Sequence, residues 1–134
     1  MSDGKERYAL WCIDGDEARR CELIKMLYTD LGLSVVLSLS SGMNIEMLFE
    51  LKDIVGFKFA NDSYTWRSDS ECGRVKDRCL FKVENSKYVD WFKSETYGCG
   101  DLTGVIHFCF MAVEERIDVV SFNEPSVTKS GISG

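Results

Sequence analysis

The closing third of the chain contains two apolar runs joined by a short polar connection. The runs cover residues 105–113 and 117–122, and Glu114-Glu115-Arg116 lies between them. Two strand-like runs with so short a connection favour an antiparallel hairpin. Pro125 ends the second strand, because proline has no backbone N–H to donate to a sheet. The hairpin favours an α+β fold with a mixed or antiparallel sheet.

Four further runs rich in strand formers lie at residues 8–13, 33–39, 54–59 and 79–83. Gly56 inside the third of these runs predicts a bulge or a close approach of another group. Three helices are predicted as well, over residues 17–31, over 44–51 with Asn44 as the cap, and after the cap residue Ser86. The first rests on apolar residues at three- and four-residue spacing, namely Ala18, Cys21, Ile24, Leu27, Tyr28 and Leu31.

These elements predict one α+β domain with a mixed or mainly antiparallel sheet, two or three helices and a C-terminal β-hairpin. The 134 residues are enough for one hydrophobic core, and we assign residues 1–125 to this single domain. Residues 126–134 are small and polar, which predicts a flexible C-terminal tail. Residues 61–78 are polar as well and predict a long loop.

The charge of the chain is acidic, with a formal net charge of -6 and a pI near 4.8. Such a surface repels phosphate backbones and attracts basic proteins, so we expect a protein partner and no direct nucleic acid. Eight acidic and three basic residues lie between Glu84 and Glu124. The predicted partner-binding residues are Asp101, Glu114, Glu115, Asp118 and Glu124, with Trp66, Asp69 and Glu71 of the polar loop as a second surface. Asp118 interrupts an apolar run, which predicts a side chain facing solvent, and Trp91, Phe92 and Tyr97 are candidate aromatic anchors.

Catalytic arrangements have little support in the sequence. His107 is the sole histidine, so any nucleophilic triad would depend on it. On a strand it shares a face with Val105, Cys109 and Met111, which predicts a hydrogen-bonded, partly buried side chain. Asp14 and Asp16 follow a strand and resemble the start of a response-regulator receiver domain, where such acids hold Mg²⁺. The third strand does not end in the phospho-accepting aspartate of that family, so a Mg²⁺-dependent phosphoryl-transfer domain is only the alternative prediction.

The six cysteines show no metal-binding spacing, because no Cys-x-x-Cys pair occurs. The chain begins with polar residues and has no apolar signal segment or membrane-spanning run, which predicts a cytoplasmic protein with reduced thiols. We therefore expect buried or half-buried cysteines that pack as small hydrophobic side chains, and no cofactor.

The last third of the chain resembles small bacterial immunity proteins of toxin–immunity pairs, including contact-dependent inhibition systems. The resemblance lies in the segments Tyr88-Val89-Asp90-Trp91-Phe92, His107-Phe108-Cys109-Phe110 and Ile117-Asp118-Val119-Val120-Ser121, followed by Pro125. It implies an acidic, non-enzymatic, cytoplasmic protein that binds a basic toxin domain, often a nuclease, and masks its active site. A regulatory protein-interaction adaptor is a further alternative, which differs from this prediction in the identity of its partner.

Overall fold

The computed structural model of the protein describes residues 6–12, 20–61 and 78–131. Within these ranges the chain forms nine strands, a short 3₁₀ turn at Leu51–Asp53 and one α-helix, α1 (Lys87–Glu95). The strands are β1 (Arg7–Leu10), β2 (Cys21–Thr29), β3 (Gly32–Leu39), β4 (Met43–Glu50), β5 (Ile54–Asn61), β6 (Leu80–Glu84), β7 (Ile106–Met111), β8 (Glu115–Ser121) and β9 (Ser126–Gly131).

The strands form two antiparallel sheets. The order is β1-β6-β7-β8-β5 in the five-stranded sheet and β2-β3-β4-β9 in the four-stranded sheet. The two sheets pack face to face, as the contact between Phe49 of β4 and Phe108 of β7 shows, with ring centroids 5.3 Å apart. The main core lies between them and contains fully buried residues of both, among them Leu33, Val35, Met47, Phe110 and Ile117. The architecture is that of a β-sandwich.

The second face of the five-stranded sheet is also buried. Tyr8, Phe81, Val83, Cys109 and Met111 form a separate apolar cluster there. Helix α1 packs on this face, since the ring of Tyr88 lies 5.7 Å from His107 and the ring of Phe92 contacts Gly56. The five-stranded sheet therefore forms the middle layer of the molecule.

The predicted α+β fold class is wrong. The described residues are 59% strand and 12% helix, and one short helix replaces the two or three that were predicted. The terminal hairpin and the helix after Ser86 are confirmed as β7–β8 and α1. The register of β5 shifts between Ile54 and Gly56, which confirms the predicted bulge.

The helix predicted over residues 17–31 is the strand β2 from Cys21 onward. A register shift between Leu23 and Lys25 inserts one extra residue into this strand. As a result, Leu23 and Met26, which both pack against the core, lie three residues apart in sequence instead of two. The bulge thus imitates the spacing of a helix.

The helix predicted over residues 44–51 is the strand β4. Its buried residues Ile45, Met47 and Phe49 follow the two-residue period of a strand. Leu48 lies on the opposite face and is only half-buried, and its presence beside Phe49 gave the segment its helical appearance.

The flexible tail predicted from residue 126 is wrong for most of its length. Ser126–Gly131 form β9, which pairs antiparallel with β4 from Met43 to Leu48. Backbone hydrogen bonds to β4 and the packing of Val127 against the core order this edge strand, although most of its side chains are polar.

Candidate functional site

A chain of buried polar side chains crosses the face of the five-stranded sheet beneath α1. Asp118 lies near the middle of β8 with 2% of its surface exposed. Its Oδ1 atom accepts a hydrogen bond from Nε2 of His107 at 2.7 Å, and its Oδ2 atom accepts one from Nε of Arg116 at 3.1 Å. Arg116 also donates to the hydroxyl of Tyr8 on β1. Four polar residues from three strands are thus linked in one network.

Asp118 was predicted to face solvent, and this prediction is wrong. The alternation along β8 does turn its side chain away from Ile117 and Val119, which are both fully buried in the sandwich. However, α1 covers this second face of the sheet, and the packing of Tyr88 against His107 closes it beside Asp118. The carboxylate is buried because both faces of the middle sheet are covered.

His107 lies between Asp118 and Ser86, the residue that precedes α1. Ser86 Oγ is 2.6 Å from Nδ1 of His107 and accepts the backbone N–H of Val89 at 3.0 Å as the helix cap. An ionised carboxylate can only accept, so Nε2 of His107 carries the hydrogen that Asp118 receives. In the neutral imidazole Nδ1 is then an acceptor, and the hydroxyl of Ser86 donates to it. The predicted hydrogen bonding of His107 is confirmed, but the side chain is buried and not partly buried as predicted.

Within the network, the positive charge of Arg116 offsets the negative charge of Asp118. Burial alone would raise the pKa of Asp118, but the hydrogen bond from His107 and the positive charge of Arg116 outweigh it and hold the pKa below 3.8, the ordinary value. Burial also raises the pKa of Tyr8, against the opposing charge of Arg116. Tyr8 therefore stays a neutral phenol beside a carboxylate that stays charged.

Stability should fall at both ends of the pH range. Asp118 titrates lower in the folded chain than its ordinary 3.8, so its contribution is present above that pH and is lost as pH drops further. Tyr8 titrates higher than its ordinary 10.0, so its contribution is present below pH 10.0 and is lost as pH rises above it. Urea unfolding measured between pH 2 and pH 11, at intervals of about 1 pH unit, checks the loss of stability at low pH (the acid limb) and at high pH (the alkaline limb). Asp118→Asn should flatten the acid limb only and Tyr8→Phe the alkaline limb only; unchanged limbs would contradict the assignment.

Ser86 and His107 line an open groove of about 600 Å³ beside the start of α1. Its walls include apolar residues of β1, of α1, of the segment before β7 and of the start of β7, namely Leu10, Val89, Leu102, Val105 and Ile106. Charged residues also line it, namely Lys82, Glu84, Asp90 and Lys93. The volume lies in the range of small-molecule sites.

A second feature lies on the outer side of α1 and at its end. Trp91 is 53% exposed and Tyr97 is 95% exposed. The backbone of Tyr97 has a positive φ of 53° and is fixed by hydrogen bonds from Tyr97 N to Ser94 O at 3.0 Å and from Gly98 N to Lys93 O at 2.8 Å. The helix end therefore presents an aromatic ring to solvent on an ordered backbone.

Acidic groups accompany these two rings. Asp90, Glu95 and Asp101 are all exposed, on α1 or in the loop that follows it. The hydrogen bonds from the side chain and the backbone of Thr103 lower the pKa of Asp101, which keeps this carboxylate charged. We call these three acids, together with the exposed Trp91 and Tyr97, the α1 face. Phe92, the third candidate anchor, instead packs inward on Gly56.

The predicted partner-binding acids do not form one patch. Glu114 and Glu115 lie at the turn that joins β7 to β8, where Glu114 is exposed and Glu115 half-buried. Asp101 and Glu124 lie in the segments before β7 and after β8, at the opposite end of these strands, and Glu124 is paired with Lys82. Six residues of β7 separate the two ends, which corresponds to about 20 Å.

The remaining predicted residues lie outside the described ranges. These are Trp66, Asp69 and Glu71 of the second predicted surface and Asp14 and Asp16 of the predicted Mg²⁺ alternative. Sequence reasoning singled out His107 and Asp118 but did not connect them with each other or with Arg116. The only signal was their shared two-residue period on the hairpin, which placed both on one face.

Within the described ranges, no group of three or more histidine, cysteine, aspartate or glutamate side chains is arranged to hold a metal ion. No helix in these ranges is long and apolar enough to cross a membrane. Cys21, Cys79 and Cys109 are buried, as expected for packed thiols, whereas Cys12 and Cys99 are exposed. Comparison with known protein families, characterised proteins and solved structures finds no match to this chain.

Proposed function

We propose that the protein acts by contact, binding a basic protein toxin domain through the α1 face and neutralising it as an immunity protein does. The observation that carries the proposal is the exposure of two aromatic rings, Trp91 in the middle of α1 and Tyr97 just beyond its end, in a segment that also exposes Asp90, Glu95 and Asp101. Exposed tryptophan and tyrosine are the residues that most often dominate the energy of protein interfaces.

The carboxylates and the rings would have different tasks in such a complex. Asp90, Glu95 and Asp101 would attract a basic partner at long range and so speed the encounter. The rings of Trp91 and Tyr97 would become buried in the complex and slow its dissociation. The exposed aromatic rings, and not the charge, favour an interface centred on α1 over one centred on the turn at Glu114, because Lys87 and Lys93 are also exposed on this helix.

The buried network supports this function indirectly. Ser86 caps α1 and is itself held by His107, while Phe92 fixes the other end of the helix on Gly56. A helix anchored in this way loses little conformational entropy on binding, which raises affinity. The network would thus hold the α1 face in its binding conformation.

Truncation of the two rings should weaken the complex. The binding partner for the measurement is the purified C-terminal domain of the protein encoded directly upstream of this chain. Tyr97→Ala and Trp91→Ala should each raise Kd by about 30-fold, the equivalent of about 2 kcal/mol at a central anchor. Glu95→Lys with Asp101→Lys should slow association and reduce its dependence on salt.

Glu46→Lys is the control, because Glu46 is exposed on β4 of the four-stranded sheet and the substitution makes the same charge change as Glu95→Lys alone. It should leave the affinity within about 2-fold of wild type, as expected for a residue outside the interface. Equal effects at Glu46 and at the α1 face would show that only net charge matters. Binding without loss of the partner's toxicity would favour the adaptor alternative over neutralisation.

A further inference from the structure

Ser86 has the surroundings of an activated hydroxyl as well as those of a helix cap. Its Oγ lies 2.6 Å from Nδ1 of His107, whose Nε2 lies 2.7 Å from Asp118. Nucleophilic catalysis by serine uses three groups: the hydroxyl, a base within hydrogen-bond reach of it, and a carboxylate that orients the base. From this arrangement at the head of an open groove, we propose that Ser86 is a nucleophile that accepts the acyl group of a carboxylic ester.

The hydrogen positions in the network suit this chemistry. Asp118 fixes the tautomer in which Nδ1 of His107 is free to accept, and the Ser86 hydroxyl is its donor. Arg116 holds the second oxygen of Asp118, so this carboxylate stays in place when His107 becomes charged. Either ring nitrogen can serve as the base, because the tautomer decides which one is the acceptor.

The reaction would consume one ester and one water. Ser86 Oγ attacks the acyl carbon while its proton passes to His107, and the bond from the acyl carbon to the alcohol oxygen breaks. The alcohol leaves with the proton from His107, which yields an acyl-serine. Water then attacks the acyl carbon with His107 again as the base, and the acid and free Ser86 are released.

The groove limits the class of substrate. Ser86 keeps 6% of its surface exposed and lines the groove together with Val89, Leu102, Val105 and Ile106. Apolar walls of this kind fit a short aliphatic acyl chain.

The test treats the isolated wild-type protein with a fluorophosphonate probe and locates the adduct by mass spectrometry of its peptides. We expect a stable adduct on Ser86 and a slow release of p-nitrophenol from p-nitrophenyl butyrate. Ser86→Asn removes the hydroxyl but preserves a cap residue, so both signals should vanish while the unfolding transition persists. Asp118→Asn should slow labelling by about 10²–10⁴-fold if His107 acts as the base.

Glu46→Lys should be labelled at the wild-type rate. If Ser86 of the wild-type protein carries no adduct after hours with about 1 mM probe, the proposal is overturned, and no variant is needed for this conclusion. If folded Asp118→Asn is labelled as fast as the wild-type protein, the proposal is overturned too, because Asp118 and His107 would then not activate Ser86. No partner protein takes part in this experiment, so its failure leaves the proposed binding function unaffected.

Discussion

Asp118→Ala should lower the free energy of unfolding by about 3–5 kcal/mol, a large fraction of the stability of a domain of this size. The substitution removes a carboxylate that lies 3.1 Å from Nε of the buried Arg116 guanidinium. It also removes the acceptor of the hydrogen bond from His107. Urea unfolding at neutral pH, followed by tryptophan fluorescence, measures the loss.

The ion pair between Arg7 and Glu84 provides the matched control for Asp118. It is exposed, with 3.7 Å between the charged atoms. Glu84→Ala should therefore change the stability by less than about 1 kcal/mol. A double variant with Arg116→Met and Asp118→Leu should be more stable than Asp118→Ala alone, because apolar side chains then replace both members of the buried ion pair. Similar losses for Glu84→Ala and Asp118→Ala would contradict the importance of burial.

Gly32→Ala should be about as damaging, with a loss of about 2–6 kcal/mol from steric overlap and backbone strain together. Gly32 forms part of the turn between β2 and β3 and has a φ of +133°. A Cβ atom at this position would lie 1.9 Å from the carbonyl oxygen of Phe49 and 2.9 Å from the amide nitrogen of Leu51. Both are backbone atoms and cannot move aside as a flexible side chain can. Thermal unfolding should show a much lower Tm or no cooperative transition.

Gly42→Ala separates the two causes of that loss. Gly42 also has a positive φ, +91°, but a Cβ atom there would meet no other atom within 4 Å. Its substitution should therefore cost only the conformational strain, about 1–3 kcal/mol. If Gly42→Ala destabilised the protein as much as Gly32→Ala, the close approach of Phe49 would have no energetic role.

Local sequence signals were sufficient where the structure is local. The hairpin of β7 and β8 was predictable from two apolar runs and three polar residues between them. The start of α1 was predictable because Ser86 caps it through a residue three positions later. Gly56 was predictable as a point of close approach, although not the contact with Phe92 that requires it.

The prediction failed where long-range pairing overrides local spacing. The bulge in β2 gives its inward-facing residues a helical spacing, and only pairing with β3 makes the segment a strand. β9 has no apolar pattern of its own and is ordered by hydrogen bonds to β4. Both are edge strands of the four-stranded sheet, where one neighbour supplies all the backbone pairing.

The two candidate sites also differ in how far they could be predicted from the sequence. The α1 face lies within one short segment of the chain, so its aromatic and acidic character could be predicted from the sequence. The burial of Phe92 and the exposure of Tyr97 could not. The buried network joins Tyr8, Ser86, His107 and Asp118, which are up to 110 residues apart in the chain.

The sequence by itself determined the overall acidity, the terminal hairpin, the cap of α1 and the alternation that separates Asp118 from Ile117 and Val119. Only the tertiary structure decided that the face carrying Asp118 is covered by α1 and therefore buried. The physical reason is that alternation in a strand tells which side chains share a face, whereas the environment of that face depends on what packs against it. That environment turned a predicted surface carboxylate into the buried partner of His107 and Arg116.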